Sequence, residues 1–450
     1  MFIRRKIISV GFVLLFFIVL LCICVSRWGS SADYVGSGET ALVLIAVGRL
    51  VGLVGVLFAL LQFLLMARLP ILEKAYGQDK LSRLHRITGY ITFTLVALHP
   101  ALIVNGNALL TGKSVPGQYL FMIQTYDDVI FAAIASLSLY ALVLSSIWIV
   151  RKHLRYEWWR TVHFLSYVFI SLAFLHQIEL GTTINSQRIF NYFWIGLYFG
   201  VAAVFGYYRI IRPVLVYKKY RFRVARVIAE SPTVTSVYIT GRGMEAFKWK
   251  SGQFALFTFL QKGTPLQTHP FSISWAPQSR DEIRITVKHV GDFTNALKNL
   301  TPESPVIVQG PYGVFGQQVE DEKQVVLVAG GIGITPLRAL FERYARNGRD
   351  VVLLYAVQKP EDFVLKKELD EIAHNFSNAK VIYICEIPTD QSVVKGRIDA
   401  SILQKYVPNI PGRRAFVCGP VGMMNAVEKL LIEADMPKEK IFSERFSFLK

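Results

Sequence analysis

Over the first 211 residues the apolar positions fall in long blocks, at about 7–25, 40–66, 85–104, 127–150, 161–180 and 190–211. Each is close to the ~20 residues a helix needs to cross ~30 Å of hydrocarbon, so the pattern predicts six membrane-spanning helices. From residue 219 onward no such block recurs, and the period changes. Segments such as Phe222–Ile228 and Glu282–Lys288 alternate or are β-branched, with Gly and Pro between them. They predict a small antiparallel β-barrel reaching to about Gly313. A strand, Gln324–Ala329, then runs through Gly330-Gly-Ile-Gly-Ile-Thr-Pro336 into a helix, Leu337–Arg346. Further buried strands at Val351–Val357, Lys380–Cys385 and Arg414–Cys418 predict a parallel sheet of the dinucleotide-binding kind. The expected fold is a multidomain membrane protein: a six-helix transmembrane bundle (1–218), an antiparallel β-barrel domain (219–318) and an α/β parallel-sheet domain (319–450).

Composition agrees with a membrane part, since 52% of the 450 residues are apolar. The net charge of +18 has in part a topological cause. Arg4, Arg5 and Lys6 precede the first block, Arg68, Lys74, Lys80 and Arg83 separate the second from the third, and Arg151, Lys152, Arg155 and Arg160 separate the fourth from the fifth. The alternate connections hold only Arg27, Lys113 and Arg188. The positive-inside rule then places the N-terminus and residues 219–450 in the cytoplasm of a multi-pass plasma (inner) membrane protein. No basic stripe with groove-reading or aromatic residues accompanies this charge, which excludes a nucleic-acid partner. The first block could be a signal peptide cut near Ala32, but its 19-residue apolar core exceeds the usual ~7 to 15, so a retained helix is expected. Cys22, Cys24, Cys385 and Cys418 give no disulfide framework.

Four histidines lie within two apolar blocks, His85 and His99 in the third and His163 and His176 in the fifth. Ionisable groups are costly in hydrocarbon and mark function there. Fourteen residues separate His85 from His99, about 21 Å and about 40° of phase on a helix, so both can face one seam. With both blocks running outward, His85 levels with His163 and His99 with His176. Two such couples at two depths fit two stacked b-type haems, and Gly89 and Thr92 leave room beside His85. A zinc site would need its ligands at one point. On a straight helix His176 sits about 140° from His163, and Gln177 is the in-phase residue. The fifth helix must therefore be irregular, or the haems tilted. Arg49, deep in the second block, is expected to pair with a haem propionate.

In the second half, the Gly330–Pro336 turn opens a helix, where free backbone N–H groups and the dipole favour a phosphate. Cys418-Gly-Pro420 sits at a strand's C-terminal end, where such sheets bind ligands. Other conspicuous stretches are Ser251-Gly-Gln-Phe254, His269-Pro-Phe-Ser272, Val290–Leu297 and Gly310-Pro-Tyr-Gly313.

In this order the motifs resemble the ferric reductase and NADPH oxidase superfamily, in which a di-haem membrane domain is joined to a ferredoxin-NADP reductase-type module. The likeness runs from about Gly48 to Phe446 and includes the histidine spacings. It implies that His269, Pro270, Phe271 and Ser272 form the FAD motif, with Phe271 against the isoalloxazine and Ser272 near its reactive nitrogen. It implies further that Lys288 approaches the FAD phosphates and that Gly291, Phe293 and Thr294 form the pyrophosphate turn. Gly330, Gly331, Gly333, Thr335 and Pro336 would then bind the nicotinamide nucleotide. Cys418, Gly419 and Pro420 would flank its nicotinamide, and Arg397 would contact it, while Phe446 would stack on the flavin, with Ser447–Lys450 following it. Lys359 is placed to meet a 2′-phosphate, and no acid stands at Val357 or Gln358, which leans toward NADPH over NADH.

The expected function is transmembrane electron transfer from cytoplasmic NAD(P)H through FAD and two haems to an outer acceptor. Dioxygen, giving superoxide, is put first and a ferric chelate second. The competing expectations are a haem-free anchored flavoprotein reductase with a cytoplasmic partner, and a haem-bearing sensor without turnover. No EF-hand loop or long regulatory insertion occurs, so no obligatory protein partner is expected.

Overall fold

The computed structural model describes residues 11–25, 35–36, 38–147, 150, 153, 156–179, 188–275, 281–317, 322–388 and 392–445. Arg4, Arg5, Lys6, Arg27, Ala32, Arg151, Lys152, Arg155, Phe446 and the four residues after it lie outside these. The chain divides into two compact units between Ile210 and Ile211.

In the first unit the helices are α1 (Gly11–Val25), α2 (Thr40–Met66), α3 (Pro70–Tyr76), α4 (Gln78–Thr111), α5 (Val115–Thr125), α6 (Asp127–Ser146), α7 (Tyr156–His163), α8 (Leu165–Glu179) and α9 (Arg188–Gly206). Five helical spans among the described residues are long and apolar enough to cross a membrane: Thr40–Met66, Lys80–Thr111, Asp127–Ser146, Trp158–Ile178 and Arg188–Tyr220, with Gly11–Val25 a shorter apolar helix. Of the six helices expected, five are long and apolar enough to cross among the described residues.

Glycines bring α2 and α4 together. A Cβ at Gly48 would lie 3.0 Å from Ile103, one at Gly55 3.2 Å from Leu95, and one at Gly106 2.7 Å from Ile45. Where lipid removes the hydrophobic drive between helices, such close backbone approach is what packs them.

The Trp158–Ile178 span is irregular. Phe164 separates α7 from α8, and around it the bonding tightens: Phe164 N–H donates to Thr161 (3.1 Å) and Tyr167 N–H to Phe164 (3.0 Å). Residues wound at three per turn advance about 120° instead of about 100°, which turns everything beyond them. The Arg188–Tyr220 span continues past the predicted 211. A π-helical turn, Tyr207–Ile211, joins α9 to α10 (Arg212–Tyr220), where Pro213 has no N–H to donate back.

The second unit opens with two three-stranded antiparallel sheets. One is ordered β1 (Arg223–Ser231), β2 (Val234–Thr240), β5 (Glu282–Lys288), the other β4 (His269–Ser272), β3 (Phe254–Phe259), β6 (Val306–Tyr312). Single bridges, Arg223 to Pro305 and Ile273 to Ile285, link their edges around a shared core that includes Val237, Ile239, Phe257 and Ile285. A short helix, α11 (Asp292–Ala296), follows β5.

The six-stranded sheet that comes next is wholly parallel. Its order is β10 (Val394–Lys395), β9 (Ala379–Cys385), β8 (Asp350–Val357), β7 (Gln324–Gly330), β11 (Arg414–Cys418), β12 (Ile441–Glu444). Both faces are buried, which explains its continuous apolar strands. On β7, Val325, Leu327 and Ala329 pack with α12 (Ile334–Arg346) and residues of α13 (Lys366–Asn375). Val326 and Val328 pack with α14 (Ala400–Tyr406) and α15 (Val421–Glu433). The order reverses between β7 and β11, the crevice where such sheets take ligands.

Candidate functional site

The four intramembrane histidines meet in two pairs. Ring centres lie 6.2 Å apart for His85 and His163 and 6.4 Å apart for His99 and His176. An iron held between two imidazoles, with bonds of about 2 Å and about 1.2 Å from each nitrogen to its ring centre, sets the centres about 6.4 Å apart. Two imidazoles do not close a zinc site, and no group of three or more His, Cys, Asp or Glu among the described residues could hold a metal. They would suffice for an iron that brings four macrocycle nitrogens of its own.

The Gly48 carbonyl fixes the tautomer of His99. Its Nδ1 lies 2.8 Å from the Gly48 carbonyl, which can only accept, so the proton is on Nδ1 and the lone pair is on Nε2. A Cβ at Gly52 would come 2.6 Å from that same Nδ1, so the glycine is what lets the ring lie against α2. Gln177, the in-phase alternative, is engaged elsewhere and accepts from Trp194 Nε1 (2.8 Å) and Tyr198 (3.1 Å). With the irregularity at Phe164 between them, His163 faces His85 and His176 faces His99. Thr92 is buried near His85's seam, Gly89 faces the Gln62 side chain at 4.0 Å, and Arg49 is half-buried one residue from Gly48.

On β4, His269 stacks on Phe293 with ring centres 4.0 Å apart, and Phe271 lies parallel to Phe293 at 6.3 Å. Pro270 is exposed, while Ser272 is buried with its hydroxyl oxygen unpartnered, an orphan that fits a flavin hydrogen bond. Phe293 is 5% exposed and belongs to the core, and Thr294 spends its hydroxyl on its own turn, accepting from Val290 N–H (2.9 Å) and Gly291 N–H (3.0 Å). These two shape the Gly291 turn. Lys288 is exposed at the end of β5.

The glycine turn and the Cys418 turn, far apart in sequence, are in contact. A Cβ at Gly333 would fall 2.2 Å from the Cys418 carbonyl oxygen, and one at Gly419 3.0 Å from Gly330. Gly331 has φ +52, a left-handed conformation suited to glycine. The Thr335 hydroxyl donates to Ile332 (3.1 Å), and Pro336 is buried in the first turn of α12. Because every strand is parallel, Gly330, Lys359 after β8, Arg397 after β10, and Cys418 to Pro420 all lie along the C-terminal edge of one sheet. Lys359 is exposed, and Arg397 is held by Glu386 at 2.8 and 3.3 Å.

Three families match the chain in succession. Residues 51–174 match the ferric reductase like transmembrane component, 220–316 an FAD-binding domain and 327–429 an oxidoreductase NAD-binding domain. This is the ferric reductase/NADPH oxidase architecture. The flavohemoprotein of Deinococcus radiodurans is 31% identical over 265 residues, 56% of this chain and 63% of that protein. The glycine betaine monooxygenase reductase subunit of Pseudomonas aeruginosa is 28% identical over 217 residues, 46% of this chain and 59% of that one. The chain thus spans about three fifths of the length of these curated relatives. The flavohem-like FAD/NAD binding domain of nitric oxide dioxygenase from Vibrio cholerae O1 biovar El Tor aligns at 24% identity, covering 50% of this chain and 98% of that one, with a TM-score of 0.44.

Three positions beside these residues went unread in the sequence. Gly48 and Gly52 seat His99, a role that only helix pairing makes visible. Glu444 ends β12 beside the turn that follows β6, since a Cβ at Gly313 would lie 3.8 Å from its Oε1. Its signal was present, as the acidic member of Ser443-Glu-Arg-Phe446.

Proposed function

We propose that this chain carries electrons from a nicotinamide nucleotide across the membrane to an outer acceptor. The observation that carries the reading is the pairing of histidines at 6.2 and 6.4 Å, at two depths of one membrane domain that is fused to flavin- and nucleotide-binding domains. When bound, FAD turns a two-electron donor into one-electron steps and the two b-type haems pass single electrons onward. His85 and His163 would hold one haem and His99 and His176 the other, with Arg49 beside the outer one. Ser272 and Phe271 would orient the flavin, and Lys288 and the Gly291–Thr294 turn would meet its phosphates. The Gly330–Pro336 turn and α12 would hold the nucleotide's pyrophosphate, with Lys359 and Arg397 at its adenosine end and Cys418 to Pro420 at its nicotinamide. NADPH is favoured over NADH because Lys359, not an acid, follows β8.

Dioxygen is the acceptor put first, since it needs no lasting ligand set, and a ferric chelate is second. A reduced-minus-oxidised spectrum of the purified protein tests the haem reading, and a protein without a Soret band sinks it in favour of an anchored flavoprotein reductase. NADPH-driven cytochrome c reduction abolished by superoxide dismutase supports dioxygen. Anaerobic ferric citrate reduction without that sensitivity supports the chelate.

A further inference from the structure

A buried charge cluster in the second unit joins the flavin-side sheets to the nucleotide-binding lobe. Arg284 of β5 is fully buried, and its five N–H donors all have partners. Nε donates to Ser274 Oγ (3.1 Å), one terminal nitrogen to Tyr238 (3.3 Å) and Glu368, and the other to the Ser274 carbonyl (2.9 Å) and Glu368 (3.0 Å). Glu368, in the first turn of α13, also forms an ion pair with Arg338, whose Nε lies 2.7 Å away. Arg338 of α12 is bound in turn to Glu342 (2.5 Å), and the guanidinium carbons of Arg284 and Arg338 lie 4.7 and 4.8 Å from the centre of the Trp275 ring.

The positions are telling. Ser274 and Trp275 follow Ser272 by two and three residues, and Arg338 follows Pro336 by two. One carboxylate is therefore gripped from the end of the flavin strand's sheet system and from the helix that opens at the nucleotide turn. Buried pairs of this kind are weak sources of net stability but fix geometry, because breaking one partner strands the others.

We propose that Glu368 is a positioning residue that, through Arg284 and Arg338, sets the approach of nicotinamide to flavin. This rests on the electron-donor reading above. The step concerned is transfer of one hydride, two electrons and a proton's nucleus together, from the nicotinamide to the flavin. An error of about 1 Å in such an approach costs about a hundredfold in rate.

The test is anaerobic stopped-flow reduction of the FAD-loaded, full-length protein by NADPH, for Glu368→Gln, Arg338→Gln and the double variant. Flavin reduction at saturating NADPH should slow about ten- to a hundredfold in each single variant. Half-saturation should move less than about threefold, the long-wavelength nicotinamide–flavin charge-transfer band should fade, and the double variant should be no slower than the slower single one. Arg338→Lys, which keeps the charge but loses the fork, should recover part of the rate and, if the others lose FAD, decides by the same criteria. Unchanged reduction rates, losses that multiply in the double variant, or an effect confined to half-saturation overturn the proposal. A wild-type flavin that neither NADPH nor NADH reduces overturns the donor reading itself, a result separable from the others because it needs no variant.

Discussion

Gly52 illustrates how one missing methyl group governs a site. Its Cβ would fall 2.6 Å from His99 Nδ1, the atom that donates to Gly48, so Gly52→Ala must displace the ring or the helix. Haem content should fall from about two per chain toward about one, with the His85–His163 signal retained. Gly89→Ala, whose Cβ has only the Gln62 amide at 4.0 Å, should leave both. A pyridine haemochrome assay reads the ratio, and an unchanged value with an unshifted midpoint potential in Gly52→Ala would remove its role. Glu368 supplies a pH prediction. Burial raises its carboxyl, but the Arg284 hydrogen bonds and the two guanidiniums outweigh that and hold it below its ordinary 4.5. A carboxylate lowered on folding contributes stability above its unfolded value and loses it as pH falls through the folded one. The contribution is therefore complete at neutral pH and declines only below about 4.5. FAD release on heating the full-length protein should show that acid slope, and Glu368→Gln should flatten it. Such partners escape sequence reading, because Arg284 and Glu368 are 84 residues apart. Motif letters likewise named Thr294 and Arg397 without showing that the hydroxyl caps its own turn and that the guanidinium grips Glu386.

Elements were more legible than contacts. Gln324–Gly330, Asp350–Val357, Ala379–Cys385 and Arg414–Cys418 lie within a residue of where β-branched runs put them, because a parallel strand buried on both faces has little choice of residue. Length of helices was less legible. The apolar block 85–104 marks hydrocarbon thickness only, whereas α4 runs from Gln78 to Thr111, since adding a residue to a formed helix costs little. The break at Phe164 left no Pro or Gly signature, and only the His163–His176 phase mismatch betrayed it. The packing of the glycine turn on the Cys418 turn makes a sharp element-level prediction. Gly333→Ala would set a methyl 2.2 Å from a backbone carbonyl that cannot move without β11. Flavin reduction by NADPH should fall at least tenfold, by about 1.4 kcal/mol or more of lost transition-state stabilisation, with FAD content unchanged. An isoalloxazine spectrum lost together with the activity would instead mean that the whole lobe depends on this contact.

At the scale of the molecule the two histidine pairs are separated along α4 by about 21 Å, most of a ~30 Å hydrocarbon layer. Electrons moving from the first pair to the second would then cross about two thirds of the membrane field. With ~2.3 kcal/mol per charge per 100 mV, an interior-negative potential of 100 mV would contribute about 1.5 kcal/mol, an upper limit of about tenfold in rate. The positive-inside reading of the basic connections would put the nucleotide on the inner side. Proteoliposomes with NADPH trapped inside should therefore reduce impermeant ferricyanide outside, faster when a potassium gradient and valinomycin make the interior negative and slower when the gradient is reversed. Externally added NADPH should drive only the oppositely inserted population. A rate indifferent to potential, with nucleotide and acceptor consumed on the same face, would mean that electrons leave on the flavin side. The paired histidines would then have to be explained without transmembrane transfer, and a membrane-anchored reductase serving a cytoplasmic partner would be the better account of the fused domains.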